Sequence, residues 1–170
     1  MMNIHAAAFD DIPSIMELER GCATAAHWAE EQYRRAIEQV EGAPERVVLA
    51  AKGESAHDHE IRVRIPAQTG GCSGFAGFLV ARHVASEWEL ENIVVVPEFR
   101  GRGVGKHLLD ALIAYARATN SRSISLEVRE SNTAARGLYV RTGFRETGRR
   151  TGYYSHPPED AILYSHDVPS

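Results

Sequence analysis

The hydrophobic positions along this chain follow two spacings, one typical of strands and one typical of helices. Apolar residues at intervals of three and four predict helices over 12–20, 28–40, 103–119 and 132–142. Short apolar runs predict strands at 3–8, 47–51, 73–82, 88–96, 123–128, 144–153 and 161–167. The resulting order is strand, two helices, three strands, helix, strand, helix and two strands. It predicts an α/β fold with a mixed sheet and helices on both faces.

One polar segment, from Lys52 to Gly71, interrupts this pattern. It contains GESAHDHE and ends in QTGG, which predicts a surface loop. Its middle, 61–65, alternates apolar and charged residues and predicts a short hairpin arm. No repeat or linker interrupts the rest of the chain. The pattern therefore predicts a single domain over 1–170 with an insertion at about 52–72.

Composition narrows the class of protein. A chain of 170 residues with 44% hydrophobic and 25% charged residues suits one globular domain. No apolar run approaches the roughly 18 residues that a spanning helix needs, and the first residues lack the pattern of a secretory signal, so a cytoplasmic protein without a membrane partner is expected. A formal net charge of -4 argues against nucleic acid as a partner. Cys22 and Cys72 are too few for a disulfide framework and lie at no zinc-like spacing from histidines.

The segment IVVVPEFRGRGVGK, at 93–106, carries the strongest chemical signal. It leads from a strand, through a glycine-rich turn, into an amphipathic helix. Glycines let the backbone approach a ligand, and the first N–H groups of a helix attract anions. Several cationic side chains in the same turn favour a pyrophosphate over a carboxylate. The alternative is a helix cap with coincidental glycines. The glycines are Gly101, Gly103 and Gly105, and the cations are Arg100, Arg102 and Lys106.

Two common phosphate-binding motifs do not fit this turn. A P-loop needs a glycine five residues before Gly105 and Ser or Thr after Lys106, but these positions hold Arg100 and His107. A dinucleotide-binding motif needs its third glycine at position 106, which is Lys106. Both nucleotide motifs are therefore excluded by register.

Arg100, Gly103 and Gly105 instead fill the signature Arg or Gln, two residues, Gly, one residue, Gly or Ala, and the chain here resembles the GCN5-related N-acetyltransferases (GNAT). The resemblance implies the GNAT fold, with a mostly antiparallel central sheet and a splayed pair of central strands. It also implies acetyl-CoA as cosubstrate and no metal, with the coenzyme A pyrophosphate on the turn and the pantetheine arm on the preceding strand. The implied cofactor-binding residues are Ile93, Val94, Val95, Arg100, Gly101, Arg102, Gly103, Val104, Gly105, Lys106 and Asn132.

A second resemblance begins downstream. LEVRESNTAARGLYVRTGF, at 126–144, and RRTGYYSHPPEDAILY, at 149–164, are similar to the bacterial ribosomal-protein-alanine N-acetyltransferases of the RimI type. The similarity covers roughly 88–165, and it implies transfer of acetyl to the free α-amine of a peptide or ribosomal-protein N-terminus. Two alternatives are an acetyltransferase of a small amine, such as an amino acid, polyamine or antibiotic, and a non-catalytic acyl-CoA-binding module. Oligomeric state is left open.

The resemblance implies that Glu127 accepts a proton and that Tyr139 donates one to coenzyme A. Proton transfer from an α-amine with a pKa near 8 to a carboxylate with an ordinary pKa near 4.3 is unfavourable by about 5 kcal/mol. Such a base therefore needs a pKa raised by burial, or it acts through a water molecule. A phenol gives a proton to a thiolate at a cost of only about 2 kcal/mol. Glu91 is the competing base, since other GNAT branches place their glutamate there. The plain alternatives are a salt bridge of Glu127 with Arg129 or Arg122 and a core position for Tyr139.

The remaining candidates concern the substrate and the coenzyme. Asn132 is expected to cap the 132–142 helix, and the resemblance adds a bond to pantetheine. Trp28, Tyr153 and Tyr154 are implied to line the acceptor groove, although a plain sheet face would also explain the two tyrosines. An α-amine, with a pKa near 8, is neutral at pH 7 roughly 250 times more often than a lysine side chain. An N-terminal amine is therefore the easier nucleophile.

Overall fold

The computed structural model describes residues 2–22, 25–39, 45–53 and 74–169. It contains seven strands and four helices within those ranges, joined in part by two short 3-10 turns at Phe9–Asp11 and Pro97–Phe99. The strands are β1 (Met2–Ala6), β2 (Arg46–Gly53), β3 (Phe75–Val84), β4 (Glu87–Val95), β5 (Ser123–Arg129), β6 (Arg145–Ser155) and β7 (Pro158–Asp167). The helices are α1 (Ile12–Arg20), α2 (Glu30–Glu38), α3 (Val104–Ala118) and α4 (Thr133–Arg141).

The strands form one sheet in the order β1-β2-β3-β4-β5-β7-β6. Every neighbouring pair is antiparallel except β4 and β5, which are parallel. The parallel pair arises because α3 carries the chain from the end of β4 back to the start of β5, and parallel neighbours need such a crossover. The predicted mixed, mostly antiparallel sheet is confirmed.

Helices cover both faces of this sheet, as predicted. One core cluster joins Ile15 of α1 and Tyr33 of α2 to Phe78 of β3. The other joins α3, through residues such as Leu108 and Leu112, to the opposite face. Each of these fully buried leucines stabilises the fold by roughly 1.5–3 kcal/mol through removal of apolar surface from water. No helix in the described ranges is long and apolar enough to cross a membrane.

Most element boundaries lie within one or two residues of those predicted, and the differences have local causes. Helix α2 begins at Glu30, two residues after Trp28, and its predicted end at Val40 lies outside the described residues. Strand β7 begins at Pro158, earlier than the predicted 161, because its first residues pair with the end of β6. Of the predicted insertion, residues 52 and 53 belong to β2, and 54–72 lie outside the described residues.

A β-bulge at Glu91 reverses the faces of strand β4. Val80 of β3 pairs with Asn92 and Ala81 pairs with Leu90, so Glu91 is the extra residue on β4. Before the bulge the even-numbered residues, including Leu90, face α3; after it the odd-numbered residues do so. Asn92 consequently points toward α1, where it bonds Glu19. A bulge also bends its strand and increases the local twist.

The central strands β4 and β5 separate just beyond this bulge. Their parallel pairing runs from Glu87 and Ser123 to Leu90 and Leu126 and does not continue along the rest of these two strands. Strand β4 stays paired with β3 to Val95, and β5 stays with β7 to Arg129. A wedge-shaped cleft therefore opens between β4 and β5, and the splayed pair is confirmed.

The contact of β3 with β4 gives a test of this geometry. A methyl group on Gly77 would lie 2.6 Å from the carbonyl oxygen of Val94, and backbone on a paired strand cannot move aside cheaply. We expect Gly77→Ala to lower the free energy of unfolding by about 2 kcal/mol, measured by denaturant titration. Gly148→Ala, on β6 with open space around it, is the matched control and should change stability by less than about 0.5 kcal/mol. Equal effects of the two variants would contradict the close approach.

Candidate active site

The wedge between β4 and β5 is a cleft lined by residues of both strands and of α4. Both walls carry polar side chains, and the start of α4 closes one side. Because β5 has moved away, the backbone groups of β4 that would have paired with it lie along the cleft. Predicted site residues that line it are Glu91, Ile93, Glu127, Asn132, Tyr139 and Tyr154.

The glycine-rich turn lies at the end of β4, where α3 begins. Gly101 and Gly103 have φ angles of 72° and 85°, which side chains with a Cβ rarely adopt, and Gly103 is the N-cap of α3. Gly105 serves another purpose, since a Cβ there would lie 2.8 Å from a methyl of Leu138 on α4. The missing Cβ of Gly105 therefore also leaves room for α4 to pack against α3.

The cationic side chains of the turn are exposed, and each has a neighbour within the protein. The Arg100 guanidinium donates to the carbonyl oxygen of Val95 at 3.1 Å, at the end of β4. The Arg102 guanidinium lies 5.8 Å from the centre of the Phe99 ring. Lys106 pairs with Asp110, one turn along α3, at 2.6 Å. Positive charge thus surrounds the helix start, whose first amides have no acceptor within the helix.

Glu127 lies on β5 just past the last residue that pairs with β4. Its carboxylate pairs with Arg150 of β6 at 2.9 Å, and its side chain is 26% exposed. A salt bridge was the plain alternative for Glu127, but the expected partner was wrong: Arg150 replaces Arg129 and Arg122. The nearby Glu127 carboxylate raises the pKa of Tyr153, because it favours the protonated phenol.

Glu91, the competing base, is the bulged residue of β4. Arg46 of β2 donates to both of its oxygens, at 2.9 and 3.1 Å, and Arg82 of β3 lies 3.5 Å from one of them. The Glu91 side chain is only 17% exposed. Two guanidinium groups thus hold the carboxylate of Glu91 toward β2 and β3, on the side away from β5.

Tyr139 lies on α4 and is 4% exposed, so the alternative of a core position describes much of its ring. The ring packs against Phe144 and Tyr164, with centroids 5.8 and 5.9 Å away. Burial raises the pKa of Tyr139 well above its ordinary value, with a smaller contribution from Tyr154. The phenol is therefore protonated throughout the neutral range, and Tyr139 still contributes to the cleft wall.

Asn132 is the N-cap of α4, as predicted. Its side-chain oxygen accepts the backbone N–H of Ala135 at 3.2 Å, which satisfies one of the free amides of the first turn. It also lines the cleft. Capping leaves its amide N–H₂ group as a donor that the cap itself does not use.

The predicted acceptor-side aromatic residues lie on two separate elements. Tyr153 and Tyr154 form an edge-to-face pair on β6 with centroids 5.1 Å apart. Arg129 lies 4.0 Å from the centre of the Tyr154 ring and pairs with Glu159 at 3.2 Å, which ties the tip of the β6–β7 hairpin to β5. Trp28, in the segment before α2, lies against Arg46, whose guanidinium is 5.3 Å from its ring centre.

A buried polar contact that the sequence pattern did not reveal fixes the Trp28 segment. The buried carboxylate of Glu19 accepts the backbone N–H of Trp28 at 3.0 Å and the side-chain amide of Asn92 at 2.8 Å. Two sequence features could have predicted this contact: Glu19 lies on the apolar stripe of its helix, and Asn92 lies within an apolar strand. No such feature predicts the pair of Arg46 with Glu91, because 45 residues separate the two along the chain.

This architecture is typical of acyltransferases that use acyl-coenzyme A as donor. Its features are the mixed sheet, the splayed parallel pair and the glycine-rich turn at the start of α3. The chain belongs to the acetyltransferase (GNAT) family, whose model matches residues 12–144.

Its relatives with curated names include protein N-terminal acetyltransferases. It is 42% identical over 90 residues, 51% of this chain and 61% of the relative, to the ribosomal protein bS18-alanine N-acetyltransferase of Haemophilus influenzae. It is 36% identical over 114 residues, 66% of this chain and 68% of the relative, to the N-alpha-acetyltransferase RimI of Mycobacterium tuberculosis. The chain spans about 60% of the length of the bS18-alanine acetyltransferases that it matches. The crystal structure of the ribosomal-protein-S18-alanine N-acetyltransferase from Escherichia coli has a TM-score of 0.74 and 26% identity, covering 100% of this chain and 96% of that chain.

The capping role of Asn132 can be measured apart from any ligand. We expect Asn132→Ala to lower the free energy of unfolding by about 1 kcal/mol, because the Ala135 amide loses its acceptor. Asn132→Asp keeps an acceptor oxygen and should change stability by less than about 0.5 kcal/mol. Chemical denaturation of the three proteins makes the comparison, and an Asn132→Ala protein as stable as the wild type would show that the cap contributes nothing.

Proposed function

We propose that this chain is an acetyl-CoA-dependent Nα-acetyltransferase that acetylates the free α-amine of a peptide or ribosomal-protein N-terminus. The observation that carries the proposal is the cleft between β4 and β5. Its walls carry both Glu127, from β5, and Tyr139, from α4, and the glycine-rich turn follows the end of β4, one of the two strands that form the cleft. We further propose that residues 1–170 act as one catalytic domain in the cytoplasm, where acetyl-CoA is supplied.

The coenzyme is proposed to bind along β4 and across the start of α3. The amides from Gly101 to Lys106 would hold the pyrophosphate, because helix N-termini carry partial positive charge and the cations of the turn add to it. The unpaired edge of β4, at Ile93 to Val95, would bond the two amides of the pantetheine arm as a neighbouring strand would. The side-chain N–H₂ of Asn132, which faces the same cleft, supplies a further donor.

The acceptor is proposed to enter from the side of the cleft opposite to the coenzyme, between the Trp28 segment and the β6–β7 hairpin. Tyr153, which is half exposed, and Tyr154 would contact the first residues of the peptide. Both elements are held by buried or charged contacts, Trp28 through Glu19 and the hairpin through Arg129. An acceptor groove built from two fixed elements favours an extended peptide.

Glu127 is proposed to accept the amine proton through a water molecule. The amine nitrogen attacks the thioester carbonyl carbon, a C–N bond forms, and the nitrogen then carries one proton too many. The ion pair with Arg150 and the partial exposure of Glu127 leave this carboxylate in an ionic, hydrated setting. An unprotonated carboxylate of this kind orients a water molecule and passes the proton on to solvent. The second candidate, Glu91, is already bonded by Arg46 at both oxygens.

Tyr139 is proposed to protonate the departing sulfur. As the C–S bond breaks, the thiolate of coenzyme A gains a proton from the phenol, and solvent returns a proton to Tyr139. The raised pKa keeps the donor loaded, but it makes full transfer costlier than for an ordinary phenol. Tyr139 therefore acts mainly as a hydrogen-bond donor that stabilises developing charge on sulfur, completing the transfer late.

Thiol release from acetyl-CoA tests the function. We expect the purified protein to release coenzyme A with short peptides that begin with alanine, and mass spectrometry to place the acetyl group on the α-amine. The same peptides with a blocked N-terminus and a free lysine should react far more slowly. Preference for free amino acids, polyamines or aminoglycosides would identify a small-amine acetyltransferase instead, and tight coenzyme binding without turnover on any amine would indicate a binding module.

Two substitutions test the assigned roles. Glu127→Gln and Tyr139→Phe should each lower kcat by roughly tenfold to a thousandfold while leaving acetyl-CoA binding nearly unchanged, because both groups act on reacting protons. In the wild type, kcat should show no loss from tyrosine ionisation up to about pH 10, because burial raises the pKa of Tyr139 above its ordinary value of 10.0. Glu146→Gln and the exposed Tyr115→Phe are matched controls expected to retain activity. Full activity in both test variants would show that the roles are wrongly assigned.

A further inference from the structure

The two glutamates that line the cleft are both paired with arginines from other strands. Arg150 of β6 pairs with Glu127, and Arg46 of β2 pairs with Glu91. Acetyl transfer needs the acceptor amine in its neutral form, since an ammonium has no free electron pair. A carboxylate without a cation beside it would stabilise that ammonium and so hold the acceptor in its unreactive form.

We infer that Arg150 is a positioning and specificity-determining residue that offsets the charge of Glu127, so that the acceptor site takes up the neutral amine rather than the ammonium. This inference rests on the proposed function. Arg150 does not touch the reacting atoms in this account. It acts through Glu127, whose carboxylate it contacts at 2.9 Å.

The structure of β6 explains how Arg150 reaches this place. Arg150 pairs with Ala161 of β7 and Tyr154 pairs with Glu159, so residues 151–153 stand opposite a single residue, Asp160. The amide of Gly152 donates to the Asp160 carboxylate at 2.8 Å, which fixes the irregular segment. The Arg150 guanidinium also lies 5.3 Å from the centre of the Tyr153 ring. This segment of β6 thus places Arg150 beside both Tyr153 and Glu127.

Arg150 is the more exposed partner of this ion pair. Its side chain is 54% exposed, whereas that of Glu127 is 26% exposed. An acceptor amine that approaches Glu127 therefore meets a positive charge nearby. That charge disfavours the ammonium form and lowers the pKa of the bound amine. The charged and titratable groups on the surrounding elements are Glu89 and Glu91 on β4, with their partners Arg46 on β2 and Arg82 on β3, Arg129 on β5, Tyr139 on α4, Arg150, Tyr153 and Tyr154 on β6, and Glu159 and Tyr164 on β7.

The neighbouring residue offers a matched control on the same strand. Arg149 pairs with Glu130 at 2.6 Å and with Asp160 at 3.0 Å, and within the described residues it forms no ion pair with Glu127. Arg149→Gln therefore removes the same charge one residue away while leaving the Glu127 pair in place. Arg150→Lys keeps a positive charge beside Glu127, and Arg150→Gln removes it.

The experiment measures kcat and KM for an alanine-initiated peptide from pH 6 to pH 10 at saturating acetyl-CoA. Without Arg150, Glu127 raises the pKa of the bound amine, so the acid limb of kcat should move to higher pH by about 0.5–1 unit in Arg150→Gln. At pH 7 this lowers kcat about threefold to tenfold, while KM for the peptide stays equal or falls because the ammonium binds better. Above the limb the variant should match the wild type. Arg150→Lys and Arg149→Gln should keep the wild-type profile.

Other outcomes separate the two proposals. A wild type that acetylates no peptide would overturn the proposed function together with this inference. An active wild type with an unmoved acid limb in Arg150→Gln, or an equal shift in Arg149→Gln, would overturn the role of Arg150 alone. Circular dichroism checks folding of each variant. If Arg150→Gln does not fold, Arg150→Met removes the charge while keeping the length of the side chain, and the same shift is required of it.

Discussion

The separation of β4 from β5 opens the cleft in which the candidate site residues lie. A single extra residue, Glu91, bends β4 and exchanges the faces of the residues that follow it. The same bend ends the pairing with β5 after Leu90, which leaves the β4 backbone without strand partners on that side. A linear molecule rich in amides can pair with such an edge without displacing a strand, because β4 has no strand partner there.

Both glutamates of the cleft form ion pairs. Glu91 lies on β4 and Glu127 on β5, and each pairs with an arginine from a strand that is distant in sequence. Paired charges that remain partly hydrated contribute little to stability, so their arrangement is better explained by what it does in the cleft. Each carboxylate of the cleft therefore has a cation beside it.

Much of the fold could be predicted because its patterns are local. The stripe of Leu108 and Leu112, and the apolar alternation of β5, reveal helix and strand without reference to distant residues. The positions of Asn132 and the turn glycines were predicted for the same reason, since caps and positive φ angles depend on a few neighbouring residues. The bulge at Glu91 was not predicted, because an extra residue is defined only against the partner strand. Resemblance to known sequences, rather than spacing, supplied Glu127 and Tyr139.

The order of elements, the glycine-rich turn and, through its motifs, the family of the chain could be read from the sequence. The contacts between residues distant along the chain depend on the folded structure: Gly105 makes room for Leu138, Arg150 rather than Arg129 pairs with Glu127, and Glu19 and Asn92 fix the segment of Trp28. The two kinds of information differ in the distance over which the underlying interactions act. Backbone preferences act over a few residues, whereas hydrogen bonds and ion pairs act over a few ångströms between residues that only folding brings together.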